Sequence, residues 1–438
     1  MAVHYLTFGC KANQYDSERI RQELEARGLS TTDDVSRANV FVVNTCTVTH
    51  QADADARRAI RGLHRRHPDA RIVVLGCSAA LEADRYREMA GVSFVVEGHD
   101  PQIVAAGVLQ TPHLVPLTLR SSLDRLDHEP IGADLLRSRR GRTRGWLKVQ
   151  DGCDRKCAFC ATRIARGASR SRAPDEVVRE ASHLAEHHPE LVITGIHIGH
   201  YGRDLEPRIT LSGLVERLLE QIDGVRFRLG SVEATELDDR MIDLLAGAGD
   251  RLVPHVHMPL QSGSDAVLRR MRRWHTREQV RERVLSLAER TRWLGLGADV
   301  ITGFPGESER DHADTRALVD ELPYTYLHVF PFSARRGTAA WDLPDPVPKE
   351  LAADRARELR ELAQAKGAEY RTRRIGTTAA VVVEGAQAGL TEDYLRVRVE
   401  GWRPVAGADG AGGVLTGTLR GSAADLYIHA ASGALVPA

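Results

Sequence analysis

Three cysteines, Cys153, Cys157 and Cys160, lie within eight residues in the pattern C-x3-C-x2-C. Three more, Cys10, Cys46 and Cys77, are spaced 36 and 31 residues apart. Thiolates are soft ligands suited to zinc and iron–sulfur centres. One short loop bearing three of them can cap a metal centre from a single side. Structural zinc takes four protein ligands in a closed tetrahedron, and the nearest histidine, His183, is more than twenty residues beyond the triplet. Zinc would therefore need a distant fourth ligand. A [4Fe–4S] cluster presents four irons, normally to four thiolates, so three thiolates leave one iron open to another ligand.

The chain of 438 residues has Lys+Arg 60 and Asp+Glu 60, with 42% hydrophobic and 27% charged residues. This is ordinary globular composition, at a length that suggests about three domains. No apolar run approaches the ~18 residues of a membrane span. Met1–Leu6 enters a strand-like segment with no basic-then-apolar leader, so no signal peptide is expected and the expected compartment is the cytoplasm. Disulfides are rare there, which leaves the thiols for metals or catalysis. The zero net charge gives no bulk argument for nucleic-acid binding, so any basic surface must be local.

The elements that must position these thiols follow from hydrophobic periodicity. In residues 1–100, strands Val3–Phe8, Val40–Val43, Ile72–Leu75 and Phe94–Val96 alternate with helices Asn13–Arg27, Ala54–His67 and Ala80–Ala90. That alternation predicts a parallel α/β sheet domain. Cys10, Cys46 and Cys77 each follow a strand within three residues. Functional crevices of such sheets lie beyond the strand C-termini, so the three thiols should converge. Pro101, Pro112, Pro116 and Pro130 mark residues 101–140 as a linker. Residues 141–374 carry six further β/α units, with strands Trp146–Gln150, Leu191–Thr194, Arg226–Ser231, His255–Met258, Ala298–Thr302 and Tyr326–Phe330. These predict a partial (β/α)6 barrel, ending in the charged helix Lys349–Arg374. Residues 375–438 contain only short β-like runs, the pattern of a small β-barrel.

The stretch Gln150-Asp151-Gly152-Cys153 through Phe159-Cys160 follows the first barrel strand and resembles the radical S-adenosylmethionine enzymes. The resemblance implies a [4Fe–4S] cluster on Cys153, Cys157 and Cys160, with S-adenosylmethionine on the open iron. It also implies cofactor contacts at the barrel strand ends, for which Phe159, Gly195, Ser231, Glu233, Gln261 and Phe332 are the candidates. Thr194-Gly195-Ile196-His197 stands where the superfamily often has Gly-Gly-Glu. Gly9-Cys10, Asn44-Thr45-Cys46 and Gly76-Cys77 resemble the first domain of the methylthiotransferases. That implies a second [4Fe–4S] cluster on Cys10, Cys46 and Cys77, and a C-terminal TRAM-like β domain. The implied reaction replaces C–H with C–S–CH3, using one S-adenosylmethionine for the methyl and one for the radical. It needs an electron-donor protein such as flavodoxin or ferredoxin.

Members of this family modify adenosine 37 of tRNA, bearing isopentenyl or threonylcarbamoyl at N6, or an aspartate of a ribosomal protein. Residues 165–172, 195–204, 255–261 and 329–333 look most like the threonylcarbamoyladenosine branch. The alternatives are the other two substrates or, from another class, a non-catalytic iron–sulfur or zinc RNA-binding protein. Between Arg137 and Arg172 there are twelve Lys/Arg and two Asp. Arginine pairs with phosphate and stacks on bases, so Arg166, Arg170 and Arg172 are expected to contact the tRNA anticodon loop. A second basic run is Arg269–His275, and Arg335 is expected to face the threonylcarbamoyl carboxylate. Nothing in the sequence indicates an oligomer.

Overall fold

The computed structural model describes residues 1–47, 49–110, 126–129, 131, 136–139, 141–385, 387–402 and 412–430. The predicted linker prolines Pro112, Pro116 and Pro130 lie outside them.

The N-terminal unit runs β1 (Ala2–Thr7), α1 (Lys11–Ala26), β2 (Ser30–Thr31), β3 (Val40–Thr45), α2 (His50–Arg66), β4 (Arg71–Gly76), α3 (Cys77–Leu81), α4 (Ala83–Arg87), β5 (Val92–Val95) and α5 (Pro101–Leu109). Its sheet has the order β2-β1-β3-β4-β5, with every pair parallel. The central strand β3 is buried on both faces. Val40 and Val42 pack with Ile20, Leu24 and Val104, whereas Phe41 and Val43 pack with Ile60 and Leu63. This is why its sequence is an apolar run and not an alternation.

Two expectations are corrected here. The helix predicted over Ala80–Ala90 is broken at Glu82 into α3 and α4. The segment read as a linker from residue 101 opens instead with α5. Asp100 caps that helix by accepting from Gln102 N, and Pro101 sits at its start. Proline is tolerated in the first turn because its missing N–H has no intrahelical partner there. Val104, Ala105 and Val108 are buried against the sheet, so α5 belongs to the N-terminal unit.

The central unit begins with β6 (Arg144–Lys148). A small antiparallel pair, β7 (Gln150–Asp151) and β8 (Arg170–Ser171), flanks the helix α6 (Thr162–Arg166). Then come α7 (Pro174–Ala185), β9 (Glu190–Thr194), α8 (Leu211–Gln221), β10 (Arg226–Leu229), α9 (Asp239–Gly247) and β11 (His255–His257). The unit closes with α10 (Asp265–Arg270), α11 (Arg277–Arg290), β12 (Gly295–Thr302), α12 (Glu309–Glu321), β13 (Tyr326–Pro331) and α13 (Lys349–Arg374). The ladders β6-β9-β10 and β11-β12-β13 are parallel, and the bridges Phe227–Leu252 and Ser231–His257 join them. The result is a six-stranded open barrel.

Successive strand residues point to opposite faces. Phe227, Leu229, Val256, Met258, Leu296, Ala298 and Val300 face the helices and form the main core with them. Arg226, Arg228, His255, His257 and Asp299 alternate with these and face inward. At the N-terminal mouth, Glu190 accepts from Arg226 and Arg228 at 2.8 Å each and lies 3.5 Å from Arg144. Burial opposes its charge, but the Arg228 and Arg226 guanidiniums hold its carboxyl well below the usual range.

The C-terminal unit consists of β14 (Thr378–Val383), β15 (Ala388–Thr391), β16 (Arg396–Glu400), β17 (Val414–Thr418), β18 (Arg420–Gly421) and β19 (Leu426–His429). These form one sheet in the order β17-β14-β15-β16-β19-β18. Arg226 and Arg228 donate to the carbonyls of Ala380, Thr391 and Glu392 at 2.9 Å, and Tyr394 stacks on His255 at 4.1 Å. This small domain therefore stoppers the barrel at the end opposite the cysteine triplet. Among the described residues, no helix is long and apolar enough to cross a membrane.

Candidate active site

The triplet loop leaves β7 through Gly152, whose φ is +69°. A Cβ there would lie 1.7 Å from the Ala168 carbonyl, so only glycine lets the loop close. Backbone bonds hold the loop: Cys153 N to Gly167 O (3.1 Å), Ala158 N to Met271 O (2.9 Å) and Ala340 N to Ala158 O (2.7 Å). Burial pushes the Cys153 thiol up to about 12, and Cys160 and Cys157 add to the rise. Burial also raises Cys157, opposed by Arg273, whose Nη1 donates to its Sγ at 3.4 Å. His197 Nδ1 stands 3.4 Å from Cys153 Sγ. Its Nε2 is 2.9 Å from Glu236, which also pairs with His200 at 3.1 Å.

The second triad is built at the C-terminal edge of the N-terminal sheet. Cys10 caps α1, Cys46 directly follows β3, and Cys77 opens α3 directly after Gly76. Burial pushes the Cys77 thiol up to about 12; Arg166 opposes the rise, and Cys46 and Cys10 add to it. Gly9 has φ +96°, and a Cβ on it would fall 2.5 Å from Cys46 Cβ and 2.6 Å from its Sγ. Both triads fit a [4Fe–4S] cluster. Each offers three soft donors in a partly buried cradle, and each receives one guanidinium N–H at a sulfur. Burial favours the protonated form of Cys77, Cys153 and Cys157, so loading must release protons there and affinity should rise with pH. Gly9→Ala should cost the N-terminal site alone. Iron per reconstituted chain should then fall from about eight to about four by colorimetric assay; unchanged iron would contradict the cradle.

The two triads share a buried ionic network. Arg166, on α6, donates through Nε to Cys77 Sγ at 3.2 Å, through Nη1 to Asp151 at 2.9 Å and through Nη2 to Asp16 at 2.8 Å. It also donates to Asn13 Oδ1. Lys148 Nζ reaches the same two carboxylates, Asp16 and Asp151, at 2.6 Å each. Two cations and two anions thus balance in a dry site, the condition under which buried charge is tolerable. Asn13 and Asp16 come from α1, next to Cys10. Lys148 and Asp151 come from the strands leading to Cys153, and Arg166 comes from the helix after Cys160. The network locks one triad to the other.

This corrects three predicted RNA contacts. Arg166 is buried in the network. Arg172 is buried too, donating to Glu180 (2.9 Å) and to Lys148 O (2.9 Å). Arg335 is buried in an ion pair with Asp53 of α2. Arg170 is half-buried and donates to the Glu129 and Arg166 carbonyls. A run of arginines shows positive charge but not where each side chain lies; Arg166 and Arg335 meet carboxylates from distant segments of the chain, Asp16 and Asp53, and Arg172 meets one eight residues on.

The predicted cofactor contacts gather at the C-terminal mouth around the triplet. Phe159 and Phe332 flank an apolar cluster of Ala158, Val267, Met271, Phe304 and Ala340, with the Phe304 and Phe332 rings 5.1 Å apart. Gly195 directly follows β9, and a Cβ there would meet Gln150 O at 2.7 Å. Ser231 is exposed, Gln261 adopts φ +66°, and buried Glu233 is bonded by Arg273. Asp16, Lys148, Asp151, His197, His200, Glu236 and Arg273 were assigned no role from the sequence. The available signal was Asn13 and Asp16 one turn apart on the helix that Cys10 caps.

Comparison with known proteins agrees with this architecture. The model described as Uncharacterized protein family UPF0004 matches residues 2–97, and that of the Radical SAM superfamily matches residues 147–319. The threonylcarbamoyladenosine tRNA methylthiotransferase MtaB of Rickettsia prowazekii is 35% identical over 397 residues, covering 90% of each chain. The tRNA-2-methylthio-N(6)-dimethylallyladenosine synthase of Staphylococcus haemolyticus is 29% identical over 420 residues, covering 92% of this chain and 80% of its own. Among solved structures, the radical S-adenosylmethionine methyltransferase TsrM from Kitasatospora setae shares the fold with a TM-score of 0.59 at 17% identity, covering 82% of this chain and 84% of its own. With both triads, the open barrel and relatives matched over about nine-tenths of this chain, the chain belongs to the radical S-adenosylmethionine methylthiotransferase family.

Proposed function

We propose that this enzyme converts N6-threonylcarbamoyladenosine at position 37 of tRNA to its 2-methylthio derivative. The observation that carries the reading is the pair of three-cysteine sites joined through Arg166, in a chain 35% identical to a relative named for that substrate. When bound, two [4Fe–4S] clusters and S-adenosylmethionine supply the radical, sulfur and methyl of the C–H to C–S–CH3 conversion. The protein's part is placement. Arg166 and Arg273 each present an N–H to a cysteine sulfur, and the cluster around Phe159, Phe304 and Phe332 keeps the triplet loop dry on one side.

Phosphate recognition falls to exposed cations. Lys156 on the triplet loop, Arg269, Arg272 and Arg336 are all exposed near that mouth. Trp274 lies between Arg155 (3.8 Å) and Arg273 (4.1 Å), so its ring serves the guanidiniums first. The expected setting is the cytoplasm, with electrons from a protein such as flavodoxin or ferredoxin. Nucleoside mass spectrometry of tRNA from cells lacking the protein is the test. Loss of the methylthio-threonylcarbamoyl nucleoside alone supports the reading, whereas loss of the methylthio-isopentenyl nucleoside instead overturns the substrate.

A further inference from the structure

The inner wall of the barrel is polar where a closed eight-stranded barrel would be filled by branched apolar side chains. Three neighbouring strands contribute. Leu327 and Val329 of β13 face the helix core, which turns Tyr326, His328 and Phe330 inward. Asp299 stands opposite His328 in the β12–β13 register, and His257 opposite Gly297 in the β11–β12 register. His257 Nε2 and His328 Nδ1 converge on the same oxygen, Asp299 Oδ1, at 3.1 and 3.2 Å. The Tyr326 hydroxyl backs the array, 3.2 Å from His257 Nδ1 and 2.9 Å from His255 Nε2. Gly297 makes this possible, since a Cβ there would lie 2.0 Å from the Tyr326 ring.

The array is tied together at its back and open at its front. The His257 side chain is 11% exposed, Asp299 30% and His328 54%. Burial opposes the charge on Asp299, but the hydrogen bonds from His257 and His328 hold its carboxyl well below the usual range. Asp299 Oδ2 and His328 Nε2 make no bond to the described residues. A carboxylate oxygen thus stands beside an imidazole nitrogen on the inner face of the sheet, with Phe330 two residues further along the same strand.

We propose that His257, Asp299 and His328 form the specificity wall for the N6 arm of the substrate adenosine. They would take an arm bearing N–H or hydroxyl donors together with a carboxylate and reject an apolar one. The inference rests on the tRNA reading above and deepens it. Asp299 suits the donors of a threonylcarbamoyl arm. With His328 Nδ1 turned to Asp299, a carboxylate of the arm bound at His328 Nε2 would take up one proton from solvent onto that nitrogen, since a neutral imidazole has a single N–H. A dimethylallyl arm would strip both groups of water and return no hydrogen bond. Sites built to hydrogen-bond a ligand discriminate against analogues lacking the group by up to about 10⁴–10⁵-fold.

The test uses reconstituted full-length enzyme and two synthetic anticodon stem-loops, identical except for a threonylcarbamoyl or dimethylallyl arm on the adenosine. Binding is read by fluorescence anisotropy and methylthiolation by mass spectrometry, as the ratio between the two RNAs. Wild type should favour the threonylcarbamoyl RNA. His328→Leu and Asp299→Leu should lower that ratio by at least about 100-fold, and His328→Gln, which keeps a donor, should recover part of it. His328 is the more exposed of the two, so its variants should fold even where Asp299→Leu does not. If wild type itself ignores the threonylcarbamoyl RNA, the substrate reading fails. If wild type discriminates and the His328 variants discriminate equally, the wall proposal fails while the substrate reading stands. One zinc per chain bound by the cluster-loaded enzyme, and lost in His328→Leu, would make the array a metal site and also overturn the proposal.

Discussion

Cys157→Ala should abolish reductant-dependent release of 5′-deoxyadenosine, whereas Cys46→Ala should leave that release intact and block thiolation of RNA. The expectation follows from where the thiols stand. Cys157 sits in the triplet loop under Arg273, among the cofactor-facing strand ends of the barrel. Cys46 sits at the edge of the N-terminal sheet, against Gly9. With six cysteines in the whole chain, neither site has a spare thiol to replace a lost one. Each variant should retain about half of the roughly eight irons expected for two [4Fe–4S] clusters. The division of labour is wrong if both variants lose 5′-deoxyadenosine, or if both keep thiolation.

Arg166→Leu is expected to be the most destabilising single change on the network. It leaves Asp16 and Asp151 buried beside one remaining cation, Lys148. Removing one partner of a buried ionic group typically costs about 3–5 kcal/mol, a large share of the 5–15 kcal/mol that holds a domain together. It also takes away the N–H on Cys77 Sγ, so Arg166→Lys should restore part of the stability without restoring that fork of hydrogen bonds. Urea denaturation of the apoprotein checks the first point, and a loss below about 1 kcal/mol would refute it.

The same network predicts the acid behaviour. Burial alone would raise Asp16 and Asp151, but Lys148 and Arg166 outweigh it and hold both carboxyls below their ordinary value. A group with a depressed folded value contributes stability above its unfolded value, about 3.9 for aspartate. That contribution is lost as pH falls through the folded value. Wild type should therefore weaken steeply below about pH 4, and Arg166→Leu, already lacking the pairing, should show a shallower slope over the same range.

How much of this was legible beforehand differs by element. Strands β3 and β4 of the N-terminal unit were visible because strands covered on both faces need continuous apolar runs, and the convergence of Cys10, Cys46 and Cys77 followed from strands that all run parallel. The two-residue β2 was too short to carry a period. Helix α5 was hidden because Pro101 reads as a breaker, although at a helix start it is compatible. The contact of the C-terminal domain with the barrel was visible only in place: the carbonyls of Thr391 and Glu392 accept from Arg228, and Tyr394 stacks on His255.

By itself the sequence determined the metal chemistry, because three ligands of one site lie in a single loop and their spacing is local. It also determined the layered α/β architecture, because hydrophobic period is a local property. Only the tertiary structure decided what the arginines do. A guanidinium in a basic run can meet a phosphate or a buried carboxylate, and the choice depends on which groups the fold brings within about 3 Å. For Arg166 those groups came from α1 and from the strands before the triplet, more than 130 residues apart in the chain. The polar inner wall was decided the same way: His257, Asp299 and His328 are ordinary residues on three strands until the parallel register sets them side by side.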